Sequence, residues 1–167
     1  MAQQTLNVAT VCTGNICRSP MAEVLLRHLV LEDATLQGRV VVTSAGTARW
    51  HVGAPMDPRA RGALDRAGFQ SPGSLALYAD SAYLNAQDLV VVMTREHLHD
   101  VKARLRNDAT DVLLWRNLSE PGLNLDVSDP YYGDDREFDE CLAALRPGGQ
   151  QLTSVFRQRL GERSHEV

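Results

Sequence analysis

The segment Cys12-Thr13-Gly14-Asn15-Ile16-Cys17-Arg18-Ser19-Pro20 restricts this chain more than any other. It lies between an apolar run at residues 6–11 and a stretch in which Met21, Ala22, Leu25, Leu26, Leu29 and Val30 recur at helical spacing. The first reads as a buried parallel strand, the second as a helix with one buried face. A tight loop that opens into a helix receives the free N–H groups of the first turn and the positive end of the helix dipole. An anion is favoured there. The same field, together with the guanidinium of Arg18, favours thiolate over thiol at Cys12. A charged nucleophile beside a cradle for oxyanions points to phosphate-ester chemistry.

The rest of the chain supplies the frame. Ser19-Pro20 is a good helix opening, because Ser can cap and proline tolerates the first helical position. A second strand is expected at residues 40–43, leading to Ser44-Ala45-Gly46. Asp57-Pro58 repeats the cap-plus-proline signal, and the apolar face of Ala60, Ala63, Leu64 and Ala67 runs up to a stop at Gly68. A short helix at 80–86, a strand at 89–93, a helix from Thr94 to about 107 and a strand at 112–115 follow. A polar loop with Pro121, Gly122 and Pro130 leads to a last helical region from about residue 136. Strands alternating with helices predict an α/β fold, a three-layer sandwich with a four-stranded parallel sheet and helices on both faces. The phosphate-binding loop would then follow the first strand, at the carboxyl end of the sheet, where such folds bind ligands. Pro147-Gly148-Gly149 interrupts the last helix, and proline costs about 3 kcal/mol in a helix interior and each glycine about 1. A break is therefore expected, giving two pieces at roughly 136–146 and 150–161.

The 167 residues suit one core, so residues 1–167 are expected to form a single domain. A net charge of −4 argues against broad nucleic-acid or membrane-surface binding. Residues 1–7 lack a leader pattern, and no apolar run of membrane-spanning length exists. A cytoplasmic protein is expected, although unconventional export would leave no mark in the sequence. Cys12, Cys17 and Cys141 make no disulfide framework, and no metal-ligand spacing is present. His97 and His99, two apart on an expected helix, would not face one ligand together and are expected to be solvated. Cys141, at helical spacing with Phe138 and Leu145, is expected in the core.

With Cys, five residues, then Arg-Ser, and with Gly14, Asn15 and Ile16 inside, the loop resembles the signature of the low-molecular-weight protein tyrosine phosphatases. Ser44-Ala45-Gly46 after the second strand and Asp129-Pro130-Tyr131-Tyr132 late in the chain strengthen the resemblance, which spans nearly the whole length. It implies the same sandwich, no cofactor and no metal. Its expected partners are phosphotyrosine-containing proteins and a tyrosine kinase, and a monomer is expected.

The residues themselves outline the chemistry. Cys12 would attack phosphorus in line, forming a phosphocysteine. Arg18 would hold two oxygens bidentately, and the amides of Thr13, Gly14, Asn15, Ile16 and Cys17, with that of Arg18, would bind the remaining charge. The Ser19 hydroxyl can stabilise the sulfur anion. A tyrosine phenolate has a conjugate pKa of about 10, so a general acid helps it leave. Asp126, Asp129, Asp134 and Asp135 all lie in the late loop, and spacing does not choose among them. Pro130 biases Asp129 to an extended backbone, and Tyr131 and Tyr132 are placed to desolvate it in part. Similarity to the family's Asp-Pro motif selects Asp129. The resemblance also implies that Asn15 holds the loop in shape with Ser44 bonded to it, and that Trp50, Tyr131 and Tyr132 line a deep slot for phosphotyrosine. For Cys17 it offers reversible pairing with Cys12, against a plain packing role. His51, beside Trp50, is a weaker candidate for substrate contact.

Two rival activities share the loop. Arsenate reductases need additional relay cysteines, and residues 75–92 contain none. Protein arginine phosphatases typically carry threonine where Ile16 stands, and a β-branched hydrocarbon there suits an aromatic ring better than a phosphoguanidinium. A phosphotyrosine-binding module without turnover is the non-enzymatic alternative.

Overall fold

The computed structural model describes residues 4–71 and 73–165. Residues 1–3, within the segment read above for a leader, lie outside the described residues.

Four parallel strands form the sheet, in the order β2-β1-β3-β4: β1 (Leu6–Cys12), β2 (Val40–Gly46), β3 (Leu89–Val92) and β4 (Asp111–Leu114). Side chains alternate across a strand. Leu6 and Val8 of β1, with Leu89 and Val91 of β3, enter one apolar layer, and Ala9, Val11, Val90 and Val92 enter the other. Both faces being covered explains why β1 and β3 read as unbroken apolar runs. The first layer packs against α1 (Arg18–Glu32), α2 (Pro58–Arg66) and α5 (Asp135–His165). The second packs against α3 (Ser81–Asn85) and α4 (Arg95–Arg104). The expected three-layer sandwich is what the chain forms. Because the chain leaves β1 for β2 on one side and β3 lies on the other, a crevice opens at the carboxyl end of β1, beside the loop.

Capping follows the sequence signals. Asp57 accepts from the Arg59 N–H, Asp80 from Tyr83 and Thr94 from His97. The opening of α1 differs from expectation. The helix begins at Arg18, after Cys17 and with no side-chain cap, because the Ser19 hydroxyl is engaged by the loop instead. The fourth strand ends at Leu114, and Trp115 begins a short 3-10 turn, Trp115–Leu118.

The expected break in the last helix does not occur: α5 runs unbroken through Pro147. Packing outweighs the local penalty. Phe138, Leu145, Leu152, Phe156 and Leu160 are buried along it, each contributing about 1.5–3 kcal/mol against the few lost at residues 147–149. Pro147 sits on the exposed side, as does Ala143, whose carbonyl loses its helical partner there and can turn to water. The glycines are needed for close approach. A Cβ on Gly148 would lie 2.5 Å from the Trp115 indole nitrogen, and one on Gly149 would lie 3.0 Å from Leu25. The Trp115 indole N–H, brought that close, donates to the Leu145 carbonyl at 3.1 Å.

Candidate active site

The loop between β1 and α1 is folded around Asn15, which takes a left-handed conformation with φ of 57°, one that few residues other than Gly, Asn and Asp adopt readily. Its side chain explains how the strain is held. The amide nitrogen donates to Ser19 Oγ at 2.8 Å and to Ser44 Oγ at 2.9 Å, and the amide oxygen accepts from the Leu77 N–H at 2.9 Å. Ser44 in turn donates to the buried carboxylate of Glu23, which also pairs with Arg27 at 2.6 Å. The parallel pairing of β1 and β2 sets Cys12 opposite Gly46, so that Thr47 and Ala48 donate to the Cys12 and Thr13 carbonyls. Gly46 cannot bear a side chain, since a Cβ would stand 2.5 Å from the Thr13 carbonyl oxygen.

Cys12 lies at the end of β1, its sulfur 3.0 Å from Ser19 Oγ. Asn15 donates to that hydroxyl, so the single Ser19 hydrogen is free for the sulfur or for the Ala45 carbonyl at 3.5 Å, and an anionic sulfur is the nearer and the charged acceptor. Arg18 is buried, with its guanidinium spread across the loop. Nη1 donates to the Val127 carbonyl at 3.1 Å, while Nη2 reaches Thr13 Oγ1 at 3.4 Å and Asp129 Oδ2 at 3.3 Å. Nε is buried and has no partner among the described residues. A buried N–H without an acceptor is costly, and an anion in the loop would supply one.

A cavity of about 220 Å³ opens over these groups, lined by Cys12, Thr13, Gly14, Ile16, Cys17 and Arg18 on its floor side and by Trp50, His51, Asp129, Tyr131 and Tyr132 above. Asn15, Ser19 and Ser44 are buried behind the loop and hold it from the rear. Of the four candidate acids, Asp129 alone lines this cavity. Asp126 is tied to the start of α4 by Arg95. Asp134 accepts from the Arg136 N–H while Glu137 accepts from the Asp134 N–H, closing the start of α5, and Asp135 stands in the helix's first turn. The Asp129 carboxylate also accepts from the Tyr131 N–H at 3.2 Å. The Asp129 side chain is 45% exposed, so it is only partly shielded, and Tyr132, itself 94% exposed, is turned mostly to solvent. The ring of Tyr131 lies against Tyr132, edge to face, and beside Arg59 of α2, whose Nη1 donates to the Gly133 carbonyl. Trp50, 79% exposed, forms the outer rim.

The remaining cysteines are buried. Burial, with the negative charge of Asp57 next in importance, pushes the Cys17 thiol well above its ordinary range, and burial pushes Cys141 up to about 12. Cys141 is in the core, as its spacing implies.

His97 corrects the sequence reading. It is 2% exposed, not solvated, and its Nε2 lies 2.8 Å from Thr13 Oγ1. Spacing compared His97 only with His99. The usable signal was the Thr94 cap, which sets His97 at the third position of a helix pointing its amino end at the carboxyl edge of the sheet. His51 lines the cavity and lies beside the loop. A Cβ on Gly14 would lie 2.8 Å from its ring.

Comparison with known proteins agrees over nearly the whole length. The family model for low molecular weight phosphotyrosine protein phosphatase matches residues 7–164. A low molecular weight protein-tyrosine-phosphatase of Streptomyces coelicolor is 38% identical over 164 residues, covering 96% of this chain and 99% of that protein. Low molecular weight protein-tyrosine phosphatase A of Mycobacterium tuberculosis is 43% identical over 161 residues, 93% of this chain and 94% of that one. Among solved structures, YfkJ of Bacillus subtilis superposes with a TM-score of 0.80 at 29% identity, covering 93% of this chain and 97% of that chain.

Proposed function

The chain belongs to the low molecular weight phosphotyrosine protein phosphatase family, and on that premise we propose that it hydrolyses phosphotyrosine monoesters in proteins through Cys12, Arg18 and Asp129. The observation that carries the assignment of residues is the Arg18 Nε–H, buried and unpartnered on the wall of a cavity that also holds the Cys12 sulfur and the Asp129 carboxylate.

In the first step the Cys12 thiolate attacks phosphorus opposite the ester oxygen. A P–S bond forms, the P–O bond breaks, and the phenolate oxygen takes the electron pair and a proton from Asp129. Arg18 and the loop N–H groups meet the equatorial oxygens throughout. In the second step the Asp129 carboxylate takes a proton from water, which attacks phosphorus. The P–S bond breaks and sulfur leaves as thiolate, with Ser19 donating to it. Inorganic phosphate departs. Trp50, Tyr131 and Tyr132 flank the aromatic ring of the substrate, while Ile16 gives that ring an apolar floor. Cys17 and Cys141, buried with their thiols held protonated, are poorly suited to a disulfide relay of the arsenate-reductase kind. A single catalytic domain acting as a cytoplasmic monomer, opposite a tyrosine kinase that makes its substrates, completes the proposal.

A panel of phosphotyrosyl, phosphoseryl and phosphoarginyl peptides tests it by phosphate release. Phosphotyrosine should turn over fastest, and vanadate should inhibit. Cys12→Ser should lower turnover by roughly 10⁴-fold or more while still binding phosphate. Faster turnover of phosphoarginine would replace the assignment, and peptide binding without release would make the protein a reader.

A further inference from the structure

His97 is a buried ionisable side chain that bonds directly to a residue of the catalytic loop and that the mechanism leaves without a role. Three observations constrain it. Its Nε2 is 2.8 Å from Thr13 Oγ1, its Nδ1 is buried with no partner among the described residues, and the same Thr13 oxygen lies 3.4 Å from Arg18 Nη2. Thr13 itself is only half-buried and lines the catalytic cavity.

Counting protons on this triad gives a definite arrangement. A hydroxyl has one hydrogen and two lone pairs, and Arg18 can only donate. If the imidazole carried its proton on Nδ1, a buried N–H would go unpaired, whereas a proton on Nε2 leaves only a bare acceptor unpaired. Orphaned N–H groups are the rarer of the two in folded proteins. The imidazolium form would bury an unpaired N–H and add a charge beside Arg18. Burial first, and then Arg18, lower the His97 pKa to about 4 against a small opposing pull from Asp126. The amino end of α4, three residues away, disfavours the cation as well.

We propose that His97 is a positioning residue: as the neutral Nε2–H tautomer it donates into one lone pair of Thr13 Oγ1 while Arg18 donates into the other. The hydroxyl hydrogen of Thr13 has then no acceptor on its buried side. It points to the open side, into the cavity, as a donor for a phosphoryl oxygen. His97 thus adds a hydroxyl donor to the ring of loop amides without touching the substrate. The proposal rests on the phosphatase reading for what occupies the cavity.

The test uses the full chain with Thr13→Val, His97→Leu, the double variant and His97→Gln, whose side-chain N–H can replace that of Nε2. The readouts are binding of inorganic phosphate by direct titration, kcat and KM on a phosphotyrosyl peptide, and the thermal midpoint. Losing one hydrogen bond to a charged group should weaken phosphate binding and kcat/KM roughly tenfold in Thr13→Val and in His97→Leu alike. The double variant should be no worse than Thr13→Val, because His97 acts only through that hydroxyl. His97→Gln should stay within about threefold of the parent. Nitrogen NMR of the imidazole should show a protonated Nε2 and a bare Nδ1 between pH 6 and 8. Multiplying losses in the double variant, full phosphate affinity in a folded His97→Leu, or a proton on Nδ1 would each overturn the proposal. If His97→Leu does not fold, Thr13→Val and the spectrum decide. A parent protein that releases no phosphate from the peptide counts against the phosphatase reading alone, since phosphate affinity and tautomer are read without turnover.

Discussion

The loop that carries Cys12 and the segment that carries Asp129 face each other across one cavity and are built by opposite rules. The loop is buried and cross-braced: Asn15 alone makes three hydrogen bonds, to residues before, within and beyond β2, and Glu23 closes the network behind it. In the Asp129 segment Asp129, Tyr131 and Tyr132 are exposed around a buried Pro130, and its hydrogen bonds include turn bonds at Tyr131 and Gly133, one contact of Asp129 with Arg18 and the hold of Arg59 on Gly133. Their tasks differ in the same way. Donors that meet charge in a transition state act best when they need not reorganise. A group that gives a proton to a leaving group and takes one from water must instead be reachable by both. Cutting the loop's braces should therefore cost folding and catalysis together, whereas changes in the Asp129 segment should cost catalysis only.

The largest expected effect that can break this contrast is at Asp129. Asp129→Ala should slow phenyl phosphate and phosphotyrosine roughly 10²–10³-fold, and esters with much more acidic leaving groups far less. Its thermal midpoint should stay within a degree or two of the parent, because an exposed carboxylate with one contact to Arg18 contributes little to stability. A midpoint lowered by several degrees would show that the segment is braced after all. An unchanged rate on phenyl phosphate would move the acid role elsewhere.

Asn15→Ala comes next. The substitution leaves the Leu77 N–H without its acceptor, removes the amide donor from two buried hydroxyls, and asks alanine to hold a positive φ. Each of these costs about 1 kcal/mol or more. A loss of about 3 kcal/mol in denaturant unfolding and at least a tenfold fall in kcat should appear together. Unchanged stability with a large fall in kcat would show that the Asn15 brace serves catalysis alone and not the fold.

How much of this was legible in the sequence follows the same division. The strands, the sheet order's consequence for where ligands bind, and the loop itself were readable because apolar period, caps and glycine act locally. The cavity brings Cys12, Arg18 and Asp129 together, as the motifs imply. Tertiary contacts were not readable in this way. Pro147 is tolerated because Trp115 and Leu25 press onto the two glycines beside it, which no helical-propensity sum contains. Ser19 looked like a cap and is instead held by Asn15 against sulfur. His97 looked solvated because its nearest chemical partner, Thr13, is 84 residues away.

The smallest expected effect concerns the loop's foundation in acid. His97 has its pKa lowered to about 4 by burial, from an ordinary value of about 6.5 in the unfolded chain. Between those values the unfolded chain binds more protons than the folded one, so stability falls as pH falls. The contribution is complete above about pH 6.5 and is lost progressively down to about pH 4. From pH 7 to 5.5 the loss should be about 1 kcal/mol, by linkage for one site. Carboxylates titrate over part of the same range, so the comparison that isolates the imidazole is the parent against His97→Gln. The variant's urea midpoint should fall less over that interval, by the equivalent of that 1 kcal/mol. Parallel pH profiles would mean that the imidazole titrates alike in the two states. The braced side of the cavity would then owe none of its acid sensitivity to His97, and the contrast between the two regions would rest on Asn15 and Glu23 alone.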